Sequence, residues 1–230
     1  MIGVTEKLAK TNGLLSELCA RYERPREVVK LLAVSKKHPA EAIRAIHAAG
    51  QCDFGENFVA EARDKQRQLQ HLPLRWHFIG RLQSNKTRAV AEHFDAVHTV
   101  DRLKIAERLA AQRPHYAPPL DVLVQVNVDA ETTKGGISAA ETLELANAIA
   151  QLPRLRLVGL MCLPRLTDSF VEQRQPFKRL ATLAGTLRRD SGLALNELSM
   201  GTSSDFEAAI AEGATWVRLG TSIFGARPKQ

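Results

Sequence analysis

Short apolar runs rich in β-branched residues alternate with longer amphipathic segments from residue 31 to residue 225, the pattern of successive parallel βα units. The runs at 31–35 (LLAVS), 53–56 (DFGE), 75–79 (RWHFI), 96–100 (AVHTV), 121–128 (DVLVQVNV), 156–162 (RLVGLMC), 196–200 (NELSM) and 216–219 (WVRL) predict eight strands. Between them the spacing turns helical. PAEAIRAIHAAG places Ile43 and Ile46 on one face and stops at Gly50. In 138–153, Ser138 and Glu141 form a capping box, Leu143, Ala146, Ile149 and Ala150 form the apolar stripe, and Pro153 lies beyond the end. Segment 204–213 repeats the scheme, with Ser204 as cap, Glu207 three residues on and Gly213 as terminator. Residues 1–29 precede the first strand and predict an extra helix over roughly 3–20. Eight βα units predict an α/β fold, a TIM-type (β/α)8 barrel with an extra N-terminal helix, occupying residues 1–230 as one domain. A doubly wound open sheet commonly uses fewer strands and favours a GxGxxG turn, whereas the first strand here runs into VSKKHP.

Composition narrows the class. A chain of 230 residues, 44% apolar and 25% charged, is long enough for a self-supporting core. No apolar run approaches the ~18 residues of a membrane span. Glu6, Lys7, Lys10 and Glu17 interrupt the start, so neither a signal peptide nor an anchor is expected. Cys19, Cys52 and Cys162 lack C-x-x-C spacing, which predicts a reducing, cytoplasmic setting, and the seven histidines show no H-E-x-x-H, so no bound metal is expected. The net charge of +7 raises nucleic acid as a partner. Residues 1–115 hold 20 Lys and Arg against 13 Asp and Glu, yet no run reaches five like charges and aromatics are only 5%. Solvated helical faces therefore explain the excess better than a nucleic-acid surface.

In such a barrel, functional groups belong at the C-terminal ends of the strands, with a phosphate site commonly after strands 7 and 8. Lys36 stands just past strand 1, where it is either a desolvated amine competent for Schiff-base formation or a lysine snorkelling at a strand end. Strand 7 runs into Met200-Gly201-Thr202-Ser203-Ser204, and strand 8 into Gly220-Thr221-Ser222. The first leads directly into a helix and the second offers glycine for close approach and hydroxyls for donation; two such turns side by side make a phosphate cup. A lysine beside a phosphate cup suggests pyridoxal phosphate. Arg218 is placed to meet the pyridine nitrogen of that cofactor, which it would leave unprotonated, or else to form a salt bridge inside the barrel. Asn57 either hydrogen-bonds at the mouth or caps its own helix, and His77 is either a core histidine or part of the ligand wall.

With these residues in view, the chain resembles the pyridoxal phosphate homeostasis protein family, single barrels similar to the N-terminal domain of alanine racemase. The likeness rests on LLAVSK at 31–36, FGEN at 54–57, WHFIGRLQSNK at 76–86, K-x-G-I at 134–137, GLM at 159–161 and RLGTSIFGAR at 218–227. It implies that Lys36 holds the cofactor as a Schiff base, that Arg218 approaches the ring nitrogen, and that the turns around Ser203 and Gly220-Thr221 hold the phosphate. Asn57, His77, Met200 and Thr202 complete the expected cofactor contacts. His38 stands where many relatives have a second lysine, and Thr202 replaces a methionine. Lys134 is the remaining candidate for a secondary cofactor site.

The expected activity is binding and delivery of the cofactor, with apo-enzymes as recipients, by a cytoplasmic monomer that engages neither nucleic acid nor membrane. The alternatives are a racemase-like enzyme acting on amino acids and a basic nucleic-acid-binding barrel. A racemase needs a second base, typically tyrosine, yet Tyr22 lies in the loop before strand 1 and Tyr116 before strand 5, at the opposite end. The barrel also uses nearly all the length, leaving no room for a second domain.

Overall fold

The structure is a computed structural model that describes residues 3–131 and 135–225. Eight parallel strands, β1 (Lys30–Val34), β2 (Asp53–Glu56), β3 (Arg75–Phe78), β4 (Ala96–Val100), β5 (Leu120–Gln125), β6 (Leu155–Met161), β7 (Glu197–Ser199) and β8 (Trp216–Leu219), close in sequence order into a barrel. Each strand is followed by a helix: α2 (Ala40–Ala48), α3 (Val59–Gln68), α4 (Thr87–His93), α5 (Leu103–Gln112), α6 (Thr142–Ala150), α7 (Phe170–Ser191), α8 (Phe206–Ala211) and α9 (Thr221–Phe224). The predicted extra helix is α1 (Val4–Arg21), which buries Leu8, Thr11, Leu15 and Leu18 on one stripe against α2, α8 and α9.

Strand residues alternate between two apolar layers, as β-pleating requires. Leu31, Ala33, Phe54, Trp76 and Phe78 face the helices in the large core. Leu32, Val34, Ile79 and Trp216 cluster inside the barrel. In and just past β3, Trp76 and Phe78 therefore face the helices while Ile79 faces the barrel interior.

Four local expectations are corrected. The Ser138 hydroxyl and Glu141 do exchange hydrogen bonds, but they close a turn before α6 starts at Thr142. The buried stripe of α6 is Thr142, Leu145, Ala146 and Ile149; of the predicted stripe Leu143 is half-buried and Ala150 exposed, because the helix packs on the sheet along the 142–145–149 line. The cap of α8 is Asp205 and not Ser204, since Asp205 is drawn inward to bond the preceding turn. The run predicted as strand 121–128 leaves the sheet after Gln125, and Val126 instead bridges to Ile137 of the K-x-G-I element. Gly136 makes that return possible at φ +121°, where a Cβ would lie 2.8 Å from the Asn127 nitrogen. Lys134 lies outside the described residues.

Close strand packing gives a stability prediction. A Cβ on Gly159 of β6 would sit 1.8 Å from the Glu197 carbonyl oxygen of β7, so Gly159→Ala is expected to cost about 3 kcal/mol or more in urea unfolding. Gly13, in the middle of α1 with open space around it, provides the contrast: Gly13→Ala is expected to stabilise by about 0.5–1 kcal/mol.

Candidate functional site

Lys36 keeps the inward parity of Leu32 and Val34 and lines a cleft of about 470 Å³ at the C-terminal end of the barrel. Val34, Ile79, Leu163 and Leu166 give the cleft apolar walls, and His38, Asn57, Thr202, Ser203, Ser204, Arg218, Gly220 and Thr221 supply its polar groups. The structure therefore brings together seven of the nine predicted cofactor contacts. A Cβ on Gly220 would come within 3.2 Å of the Val34 carbonyl oxygen, so only a bare backbone lets the end of β8 pass this close to the end of β1.

A buried polar cluster braces the chain on both sides of Lys36. Ser35 donates its hydroxyl to Glu56 at 2.6 Å, and Lys65 of α3 donates to Glu56, to the Ser35 carbonyl and to Glu61, each at 2.7 Å. Glu61 also accepts the backbone N–H of Lys37, a residue held at φ +64°. Burial raises the Glu56 carboxyl above its usual range, against the pull of Lys65 and Ser35. Sequence reasoning missed this cluster; its one visible signal was the Glu61–Lys65 spacing of four on a helix.

Arg218 is 4% exposed. Its Nη1 donates to the Ser199 hydroxyl at 2.8 Å and its Nη2 to the Cys162 carbonyl at 3.0 Å. No acceptor among the described residues bonds its Nε, and no carboxylate pairs with it, so the in-barrel salt bridge is replaced by bonds to neutral groups. Burial lowers its pKa, with Cys162 and Asp205 opposing. The adjoining Cys162 thiol is pushed up to about 12 by burial, with Arg218 opposing.

The turn after β7 is tied by Asp205, whose Oδ1 accepts the N–H of Thr202 at 2.5 Å and its hydroxyl at 2.9 Å. The Thr202 hydroxyl is thus already committed inside the turn. The backbone N–H groups of Ser203 and Ser204 meet no acceptor among the described residues and border the cleft. Gly201 enters this turn at φ +90°, and a Cβ there would lie 2.6 Å from the Ala209 Cβ. The Asn57 side-chain carbonyl is buried with no hydrogen-bond partner among the described residues, and α3 is capped by Phe58 with no side-chain bond, so Asn57 is not spent on its own helix. His38 is stacked on Phe224 at 4.8 Å between ring centres.

Two predicted contacts fall elsewhere. Met200 is fully buried in the core between sheet and helices, because it follows the inward-facing Ser199 and takes the opposite parity. His77 has the inward parity but lies deeper: it pairs with Gly55 and Ala96 in the sheet and bonds Asp53 and His98. Tyr22 bonds Glu207, and Tyr116 is 89% exposed in the loop before β5.

Comparison with known proteins agrees with the barrel fold. A family model described as alanine racemase, N-terminal domain, matches residues 15–228. The chain is 52% identical over 227 residues to the pyridoxal phosphate homeostasis protein of Pseudomonas aeruginosa, covering 99% of this chain and 97% of the relative. To the Escherichia coli protein of the same name it is 50% identical over 231 residues, with 99% and 98% covered. Among solved structures, PipY of Synechococcus elongatus with PLP bound superimposes with a TM-score of 0.83 at 40% identity, covering 96% of this chain and 100% of that one. Alanine racemase of Corynebacterium glutamicum, 18% identical with a TM-score of 0.68, shares the fold; the chain spans 62% of its length.

The bracing cluster generates a pH-dependent prediction. Lys65→Met strands the Glu56 carboxylate in the interior and is expected to cost about 3 kcal/mol or more at neutral pH. A carboxyl whose folded pKa exceeds its unfolded one stabilises fully below the unfolded value, 4.5, and loses that stability as pH rises through the folded value. The cost of Lys65→Met should therefore shrink as pH is lowered towards 4.5, read as the difference from the unsubstituted protein in urea unfolding at each pH.

Proposed function

The chain belongs to the pyridoxal phosphate homeostasis protein family, and from that membership we propose that it binds pyridoxal 5′-phosphate in the Lys36 cleft. In this reading it serves the intracellular supply of the cofactor, without a catalytic cycle. The observation that carries the proposal is the convergence on one cleft of Lys36, Arg218 and the two turns at 202–204 and 220–221.

The donor set fits such a ligand part by part. When bound, pyridoxal phosphate supplies an aldehyde that a lysine amine captures as a Schiff base with release of water. Lys36 provides that amine from a position fixed by the Ser35, Glu56 and Lys65 bonds. The N–H groups and hydroxyls of Ser203 and Ser204, beside Gly220 and Thr221, suit a phosphate, and they lie after the seventh and eighth strands where this fold commonly places one. Val34 and Ile79 offer an apolar wall to a ring, and the Asn57 carbonyl, which has no partner among the described residues, offers an acceptor. Arg218 donates and cannot readily surrender a proton, so it favours an unprotonated ring nitrogen and a weak electron sink. That electronic setting supports a carrier over an enzyme of carbanion chemistry.

The placement of the tyrosines supports the same choice. Tyr22 is engaged with Glu207 and Tyr116 projects into solvent before β5, so neither offers a second base opposite Lys36. We infer a cytoplasmic monomer, one barrel acting as the binding unit, that passes the cofactor to apo-enzymes across a rim where Leu163 and Leu166 are 41% and 67% exposed. Cys19, Cys52 and Cys162 are unpaired, and no helix among the described residues is long and apolar enough to cross a membrane.

Protein mixed with pyridoxal phosphate is expected to gain visible absorbance, and borohydride reduction followed by peptide mass mapping should place the adduct on Lys36. Lys36→Ala should lose both signals. A colourless protein with no adduct on Lys36 would overturn the proposal. Retention of α-deuterium across a panel of amino acids is the expected result for a carrier, and Lys36-dependent loss would establish an enzyme.

A further inference from the structure

An unbroken chain of hydrogen bonds runs through the barrel interior from the cleft to the opposite end. Arg218 Nη1 meets Ser199 Oγ at 2.8 Å, Ser199 Oγ meets His98 Nδ1 at 2.8 Å, His98 Nε2 meets His77 Nδ1 at 2.9 Å, and His77 Nε2 meets Asp53 Oδ1 at 3.0 Å. Both histidines and Ser199 are buried. Asp53 stands at the first position of β2, near the N-terminal rim, with its side chain 23% exposed and Arg75 3.7 Å away.

With both histidines neutral, the Asp53 carboxylate at one end sets the direction of every bond, and the Arg218 donors at the other end are compatible with it. A guanidinium has only donors, so Ser199 accepts from Arg218 and keeps its hydroxyl proton available for His98 Nδ1. A neutral His98 then carries its proton on Nε2 and donates to His77 Nδ1, and His77 carries its own on Nε2 and donates to Asp53. Starting from the Asp53 carboxylate and working upward gives the same assignment. Full burial, with His77 and Arg218 nearby, holds the His98 pKa well below 6.5, consistent with a neutral ring.

We propose that Asp53, His77, His98 and Ser199 are positioning residues that orient Arg218 as a one-way donor towards the cleft and compensate its buried charge from a carboxylate at the far end of the barrel. Three successive dipoles, those of Ser199, His98 and His77, present their acceptor ends towards the guanidinium, so a buried cation without a contacting carboxylate is stabilised by oriented neutral groups. The acceptor at each link is also what stops the Ser199 hydroxyl and the imidazoles from turning. The effect on pyridoxal phosphate rests on the reading of the cleft given above, whereas the direction of the chain does not.

The experiment separates the two. Nitrogen-15 spectra of the histidine rings, recorded on the full protein without added ligand, are expected to show His77 and His98 both neutral with the proton on Nε2. A proton on His98 Nδ1, or a charged His98 at neutral pH, would overturn the proposal. Asp53→Leu, which removes the terminal acceptor, should disturb the His98 tautomer and weaken pyridoxal phosphate binding several-fold, and Asp53→Asn, which retains an acceptor oxygen but not the charge, should restore the tautomer and part of the binding. His98→Phe should weaken binding about tenfold, the scale of one unmade buried hydrogen bond. His98→Gln, with one acceptor and one donor, should recover most of it. Equal behaviour of Asp53→Leu and Asp53→Asn in both readouts would also overturn the proposal. If the unsubstituted protein binds no pyridoxal phosphate, the reading of the cleft fails, and the ring spectra still decide the direction of the chain.

Discussion

The pairing of β1 with β8 is the constraint on which the site depends. It closes the sheet, and its register sets Leu32 against Arg218 and Ala33 against Leu219. Closure places the loop that carries Lys36 beside the turn that begins at Gly220, although the two are far apart in sequence. Each strand of a barrel alternates inner and outer residues, so register and parity together decide which side chains reach the mouth. A shift of one residue in β8 would turn Arg218 towards the helices and put Val217 or Leu219 in its place.

The barrel interior is more polar than a purely packed core. Arg218, Ser199, His98 and His77 occupy positions that in an inert barrel would hold branched apolar side chains. Each such group costs desolvation unless its donors and acceptors are matched, and here the match extends from the mouth to Asp53. A second polar cluster, Ser35, Glu56, Glu61 and Lys65, lies outside the sheet under α3 and restrains the peptide around Lys36. The lysine is therefore braced from the helix layer and the arginine from within the barrel.

The parts of the site that were legible in the sequence are those governed by local order. Lys36, Thr202, Ser203, Gly220 and Thr221 follow strand ends, so counting strands was enough to bring them to one cleft. Met200 departs from the expected cleft contacts because parity reverses between neighbouring residues and turns it into the core beside the inward-facing Ser199. His77 was misplaced for a different reason: parity gave its side of the sheet and not its depth. The pairing of His77 with His98 is invisible along the chain, because two histidines on neighbouring strands meet only once the β3–β4 register is set. The same holds for Asp205, whose role is to occupy the Thr202 hydroxyl that the sequence offered to a phosphate.

Alternating apolar runs and amphipathic segments determined the eight strands, their parallel order and the extra helix α1, since these follow from periodicity and from the short reach of each connection. Resemblance in the motifs also pointed to the cofactor. Tertiary structure alone decided which polar residues face one another: Arg218 with Ser199 and Cys162, Lys65 with Ser35 and Glu56, His77 with His98 and Asp53. The physical reason is that hydrogen bonds act over about 3 Å and demand a particular direction, whereas hydrophobic patterning needs only the correct face. A one-dimensional pattern carries the face of each residue, and closure of the barrel supplies the distance.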